Sequence, residues 1–320
     1  MEGKPDKLEP ATGVRDKEKI SHAGQIVVVT NFLYKEYSVL PEGEQRNVDD
    51  TDGIRGDLAL EVLHKAMGLG VRVVASDGGS SADFLKKLES FVGEGLILIN
   101  SSSPDRGCQR RNVFERATQI PGKNVIVYVQ PEKVSLIDHL VEISKPILEG
   151  QAEIVIPKRD SVVFEETYPG YMRESEIRVN ATYDWLMRRA RLMTKDQSFD
   201  WFFGPVVFKN DPEIVSLFLK EYEVVGSIKS RIGAETNPEK YSGGHYFPII
   251  EALYNGKKVV SVEIPFRYPE TQQKNEMFGK VRAQFIERRK MDAASYRLET
   301  LHFLAFLKGD PKSKIREVSQ

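Results

Sequence analysis

The chain has 320 residues, 40% of them apolar, enough to bury a large core as one domain or two tightly joined halves. Forty-six Lys and Arg stand against 47 Asp and Glu, a net charge of −1, so nothing general draws this chain to nucleic acid or to an anionic membrane. A single cysteine, Cys108, excludes an intrachain disulfide and a cysteine-built zinc site. The five histidines are scattered, no run approaches the ~18 apolar residues of a membrane span, and Met1 to Gly24 lacks the apolar core of a signal peptide. A cytoplasmic protein without a membrane span is the expectation.

Residues 1–23 mix charge with Pro and Gly and read as a flexible tail. Gln25 to Val29 is a short β-branched run, expected as a buried parallel strand. Residues 35–53 are polar and acidic and read as a loop, and the apolar positions from Leu58 to Met67 predict a helix closed by Gly68 and Gly70. Strands then follow at Val71–Ala75, Leu96–Asn100, Asn124–Val129 and Ala152–Ile156. Helices at Ala82–Phe91, Cys108–Thr118 and Leu136–Leu148 separate them. This alternation predicts βαβ units, hence a parallel sheet with right-handed crossovers.

Beyond residue 160 the rhythm changes. Glu174–Met193 predicts a long helix, Trp201–Phe208 an aromatic strand or loop, and Glu213–Tyr222 a helix. Tyr246–Tyr254 predicts a further helix, Lys258–Pro265 a late strand, and Gly279–Leu307 one long helix or a helix pair. A soft boundary near 157–160 divides a single domain, 24–310, into a nucleotide half (24–158) and an acceptor half with C-terminal helices (159–310). Residues 311–320 read as a tail.

Five segments carry residues of chemical interest. Ser76-Asp77-Gly78-Gly79-Ser80-Ser81 ends the second strand, where ligands of open parallel sheets bind. Asp77 there suits hydrogen bonds from a base or ribose, and Gly78 brings backbone N–H groups near phosphate; an ordinary strand-to-helix turn is the alternative. Arg106, Arg110 and Arg111 stand in the first turns of a helix, against the dipole preference, which suits either phosphate contact or a salt-bridged face. In Gln130-Pro131-Glu132-Lys133, Glu132 is a candidate ligand for Mg or Mn and Lys133 a candidate phosphate partner; a strand-end cap is the alternative. Tyr168-Pro169 with Met172 and Glu176 repeats the spacing of Tyr268-Pro269 with Gln272 and Glu276, which places each later pair on one helix face. Asp200 sits among Phe199, Trp201, Phe202 and Phe203, where desolvation is expected to raise its pKa toward that of a general base.

Taken together, these segments resemble a group of GT-A-type, family-2-like glycosyltransferases over about residues 25–290. The marks are Val28-Val29-Thr30-Asn31-Phe32, Arg55-Gly56, the Ser76–Ser81 turn, Pro131-Glu132-Lys133 and Ile156-Pro157-Lys158-Arg159. Both Tyr-Pro segments and Phe203-Gly204-Pro205 complete them. The resemblance implies a GT-A-like, doubly wound, mostly parallel α/β sheet flanked by helices, with a C-terminal helical extension. It also implies a nucleotide-sugar donor and a small-molecule or glycan acceptor. Thr30, Asn31, Asp77, Gly78, Arg106, Arg110, Arg111 and Lys133 would serve the donor, Glu132 a metal, and Asp200 the base. Arg159, Glu176, Asn180, Gln272 and Glu276 would face substrate. The group's pattern has a glutamate where Gln130 stands and a glutamine where Met172 stands, and GT-A enzymes usually carry two acids where Gln130-Pro131-Glu132 offers one.

Two other readings stay open. A binding protein that kept the fold and lost the chemistry fits the missing acid at Gln130. A nucleotidyltransferase would carry a Gly-rich loop after the first strand, which Thr30-Asn31-Phe32-Leu33-Tyr34 lacks. A NAD-binding Rossmann protein is disfavoured because no G-x-G-x-x-G follows that strand.

Overall fold

The computed structural model describes residues 22–101, 103, 105–226, 228 and 243–318. The expected tail 1–23 lies, up to residue 21, outside the described residues. β1 (Ile26–Phe32) is buried along its whole length and is the third strand of a seven-stranded sheet. Around it stand β2 (Arg72–Asp77), β3 (Leu96–Asn100), β4 (Val125–Tyr128), β5 (Ile154–Arg159), β6 (Val206–Lys209) and β8 (Val259–Ile264), in the order β3-β2-β1-β4-β6-β5-β8. All neighbouring pairs are parallel except those of β6, which runs antiparallel to both β4 and β5. The fold is therefore mixed α/β with a mainly parallel central sheet flanked by helices.

Side chains alternate across the sheet, as the two-residue period of a strand requires. Ile26, Val28, Val73, Val125 and Val127 meet α1 (Thr51–Gly68), α2 (Ala82–Glu89) and α4 (Leu140–Leu148) on one face. Val27, Val29, Val74 and Ile126 meet the other helices: α3 (Arg106–Thr118), α6 (Gly170–Arg189), α7 (Pro212–Leu219), α8 (Gly243–Tyr254) and α10 (Arg282–Leu307). Both faces are covered, as in doubly wound sheets.

The soft boundary at 157–160 falls at the end of β5 and separates nothing. β6 and β8 of the second half join the same sheet as β1 to β4 of the first. Three local expectations are corrected. The loop assigned to 35–53 ends earlier, because Asp50 caps α1 by accepting from the Gly53 N–H at 2.8 Å and so starts the helix at Thr51. The helix expected over Glu213–Tyr222 stops at Leu219, and β7 (Tyr222–Val224) follows. The presumed tail 311–320 contains β9 (Ile315–Glu317), which pairs antiparallel with β7. A short helix, α5 (Ser161–Thr167), also follows β5 where no element was expected.

Both Tyr-Pro segments do open helices. Pro169 and Pro269 are the N-caps of α6 and α9 (Glu270–Phe278), one residue before the first turn. Met172 with Glu176, and Gln272 with Glu276, then lie on the buried faces of those helices.

Candidate functional site

The carboxyl ends of β1, β2 and β4 converge on a polar patch. Register pairs Asn31 with Ser76 and Phe32 with Asp77, so the two strands end side by side. Asp77 is only 4% exposed. Its Oδ2 accepts from the Gly79 and Ser80 N–H groups at 2.8 and 3.0 Å, which fixes the turn; its Oδ1 is buried without a hydrogen-bond partner. Nearby in the chain order, Thr30 Oγ1 and Ser76 Oγ are likewise buried and unpartnered. Gly78 is needed for a close approach. A Cβ there would lie 2.1 Å from Nε2 of Gln109, a fully buried residue whose Oε1 has no partner either. Buried polar atoms are nearly always hydrogen-bonded. Asp77 Oδ1 and Gln109 Oε1 are both acceptors without a donor, which suits a ligand that donates.

Asn31 is buried, and its Oδ1 accepts from the Tyr128 hydroxyl at 2.9 Å. Burial pushes the Tyr128 phenol up against the pull of Arg110 and Arg106. This places two of the three sequence-singled arginines beside the strand ends. The third, Arg111, is instead tied to Glu221 at 3.0 Å, the salt-bridged alternative. Arg110 also faces His245, whose ring lies 5.4 Å from that of Tyr128; burial and then Arg110 lower the His245 pKa to about 3.

Glu132 accepts from the Tyr34 hydroxyl at 3.2 Å. Gln130 turns elsewhere: its amide packs on Gly204, where a Cβ would come within 2.3 Å of Nε2. The chain between them is a turn closed by Lys133 N–H on the Gln130 carbonyl at 3.0 Å, not an extended strand end. The two positions therefore do not share one face. Among the described residues no group of three or more metal-capable side chains occurs. One carboxylate fits Mg or Mn only as a minor ligand.

Lys133 does not present its ammonium to an open phosphate cradle. Nζ lies 5.2 Å from the ring centres of Phe203 and Phe266, 5.7 Å from Tyr168 and 5.6 Å from Tyr268, and donates to the Tyr168 hydroxyl at 3.3 Å. The two repeated tyrosines form one adjoining part of this cage, their ring centres 4.2 Å apart. Burial and then Arg159 lower the Lys133 pKa to about 8, over the opposing pull of Glu176, Glu132 and Glu276.

Behind the cage lies a buried ion network. Arg159 donates to both oxygens of Asp200 at 2.7 Å and to Glu176 at 2.5 Å. The second oxygen of Glu176 takes Arg289 at 2.7 Å. Asn180 donates to Asp200 at 2.7 Å and accepts from the Phe202 N–H at 3.0 Å. Glu276 receives Arg55 at 2.9 Å, Tyr268 at 2.8 Å and Gln272 at 3.1 Å. The expectation for Asp200 is reversed: burial acts to raise its pKa, but the Arg159 guanidinium, the Arg159 backbone N–H and Asn180 hold it below the ordinary carboxylate value. Glu176 is lowered for the same reason, by Arg159 and Arg289 against burial.

The structure thus brings Thr30, Asn31, Asp77, Gly78, Arg106 and Arg110 toward one edge of the sheet. Arg159, Glu176, Asn180 and Asp200 form a separate, internally satisfied cluster, and Gln272 and Glu276 join Arg55. Gln109, Tyr34 and Arg289 were not singled out, and Arg55 was marked only as part of the resemblance. Gln109 stood in plain view between two of the arginines, whereas Arg289, on α10, carries no local signal of its pairing with α6.

No protein-family model matches the chain. No curated protein matches it either. Solved structures similar to it include glucosyl-3-phosphoglycerate synthase from Mycobacterium tuberculosis, at 13% identity over 96% of this chain and 88% of that one, TM-score 0.45. S. aureus TarS 1-349 is similar at 10% identity over 89% and 71%, TM-score 0.42. A 4-diphosphocytidyl-2C-methyl-D-erythritol synthase from Anaerococcus prevotii is similar at 10% over 82% and 99%, TM-score 0.42. These likenesses are weak and carry no residue or role across. No helix among the described residues is long and apolar enough to cross a membrane.

Proposed function

We propose that this chain binds a nucleotide sugar at the carboxyl ends of β1 and β2 and transfers the sugar to a hydroxyl of an acceptor. The observation that carries the reading is Asp77: a buried carboxylate held by its own turn, with one oxygen left without a hydrogen-bond partner. An unpartnered acceptor at a strand end suits the N–H edge of a nucleobase. Arg106 and Arg110 supply positive charge for the diphosphate, which departs as the bond from the sugar's anomeric carbon to the diphosphate oxygen breaks. The acceptor oxygen forms the new bond to that carbon and gives up its proton to solvent water. Glu132 is the residue that would touch a Mg or Mn ion, the diphosphate and water supplying the remaining oxygens. Asp200 holds Arg159 in place rather than taking the proton.

A non-catalytic nucleotide-binding protein is the second reading. It is favoured by the saturation of Asp200, Glu176 and Glu276, each of which already receives at least two donors. Thermal-shift titration with nucleoside diphosphates and their sugar conjugates, with and without Mn²⁺, tests binding. A ligand at 100 times its Kd adds about 2.7 kcal/mol. Release of nucleoside diphosphate from a bound sugar nucleotide in the presence of acceptors separates the enzyme from the binder. No stabilisation by any member of the series would remove both readings.

A further inference from the structure

A groove of about 480 Å³ runs between α6 and α10, lined by none of the residues assigned to the nucleotide. Its volume falls in the range of small-molecule sites. Arg178 lines it from α6, and Arg289, Lys290 and Arg297 line it from α10; Glu174 is the one acid. The spacing explains the shape. Arg289, Ala293 and Arg297 follow one another at four-residue intervals on α10, as Glu174, Arg178 and Thr182 do on α6, so each set shares a helix face. Ala293 and Ala294 on one helix and Ser175 on the other are too small to fill the space between the cations. Val179, Tyr183 and Ile286 add an apolar floor.

Four cations against the single acid Glu174 give the cavity a positive lining that favours an anion. Arg178 and Arg297 make no ion pair with any described residue, while Lys290 reaches Glu287 at 3.6 Å and Arg289 spends one nitrogen on Glu176 at 2.7 Å. The guanidinium groups of Arg178 and Arg297 thus remain available for bidentate contact with phosphate oxygens. The apolar floor suits the carbon part of the same molecule.

We propose that this groove binds a small phosphorylated organic anion, at a site separate from that of the nucleotide. The proposal stands whether or not the chain transfers a sugar. Arg289 links the groove to the buried network, because the glutamate it holds also holds Arg159.

Calorimetry on the full chain with a hexose 6-phosphate, and with inorganic pyrophosphate as the simplest probe, tests the idea. The parent and Asp77→Asn should bind the hexose phosphate equally. Arg178→Gln with Arg297→Gln should lose at least about tenfold in affinity, the scale of charged hydrogen bonds. Both side chains are exposed, so the double variant should melt like the parent. Ala294→Phe keeps every charge and fills the cavity, and should also lose binding. Absence of binding by the parent would overturn the proposal. So would unchanged affinity in the double variant or in Ala294→Phe, or a short RNA bound more tightly than the hexose phosphate and sensitive to the same arginines.

Discussion

Arg159 and Asp200 meet through two parallel hydrogen bonds of 2.7 Å, and the Arg159 backbone N–H adds a third at 3.2 Å. The last residue of β5 is thereby locked to the residue that starts the aromatic turn before β6. Both side chains are almost wholly buried. Removing one partner of such a pair costs about 3–5 kcal/mol, because the other charge stays behind in a poorly solvated place. Asp200→Asn should therefore lower the urea midpoint strongly. A variant as stable as the parent but devoid of turnover would instead return Asp200 to the role of base.

Lys133 gives a pH signature. Its ammonium loses its proton near pH 8 in the folded chain and near 10.5 once unfolded, since burial and then the neighbouring Arg159 charge disfavour the charged form. Between those values the unfolded state binds more protons, so unfolding free energy rises with pH across that window; below about pH 8 the penalty is fully present. Lys133→Met should flatten this rise relative to the parent. Equal slopes from pH 8 to 10 in the two proteins would contradict the assignment.

His245 makes the mirror prediction on the acid side. It stays neutral in the fold down to about pH 3, while the unfolded imidazole protonates near 6.5. Stability is thus lost as pH falls below about 6.5, the unfolded chain binding the extra proton. His245→Phe should weaken that acid dependence, read as a smaller loss of unfolding free energy between pH 7 and 4.

Gln130 and Glu132 bear on metal. Because Gln130 packs on Gly204 while Glu132 meets Tyr34, Gln130→Glu would not place a second acid beside the first. Calorimetric Mn²⁺ affinity in the presence of a nucleoside diphosphate should be unchanged by Gln130→Glu and reduced by Glu132→Gln. Tightening by Gln130→Glu would show that the turn opens when metal binds. Gly204→Ala is the structural companion. A φ of 100° and a Cβ 2.3 Å from the Gln130 amide predict a loss of more than about 1 kcal/mol in denaturant unfolding.

The strands of the sheet were legible where β-branched runs such as Ile26–Val29 and Val125–Val127 are buried on both faces, which makes them continuously apolar. The direction of β6 was not. Val206-Val207-Phe208 has the same apolar character whichever way it runs, and only its pairing with β4 and β5 reveals the reversal. β7 and β9 were missed because three-residue strands carry too little period to read, and Ile315 is the only buried residue of β9. Asp77 could be placed from its turn alone, since Gly78 and Ser81 announce a strand-to-helix junction. The roles of Asp200, Glu176 and Lys133 could not. Each depends on partners far away in the chain, and a carboxylate among aromatics looks the same in sequence whether it is free or held by Arg159.

The open oxygen of Asp77 is the centre of the account. Asp77→Asn keeps the size of the side chain and an oxygen for the Gly79 and Ser80 N–H groups, and replaces the free acceptor by a donor. Calorimetric titration of the parent and of Asp77→Asn should be run with the nucleoside diphosphate that stabilises the parent most. Asp77→Asn should lose about 1–3 kcal/mol in binding with an unchanged melting temperature. Equal affinity in the two proteins would contradict it.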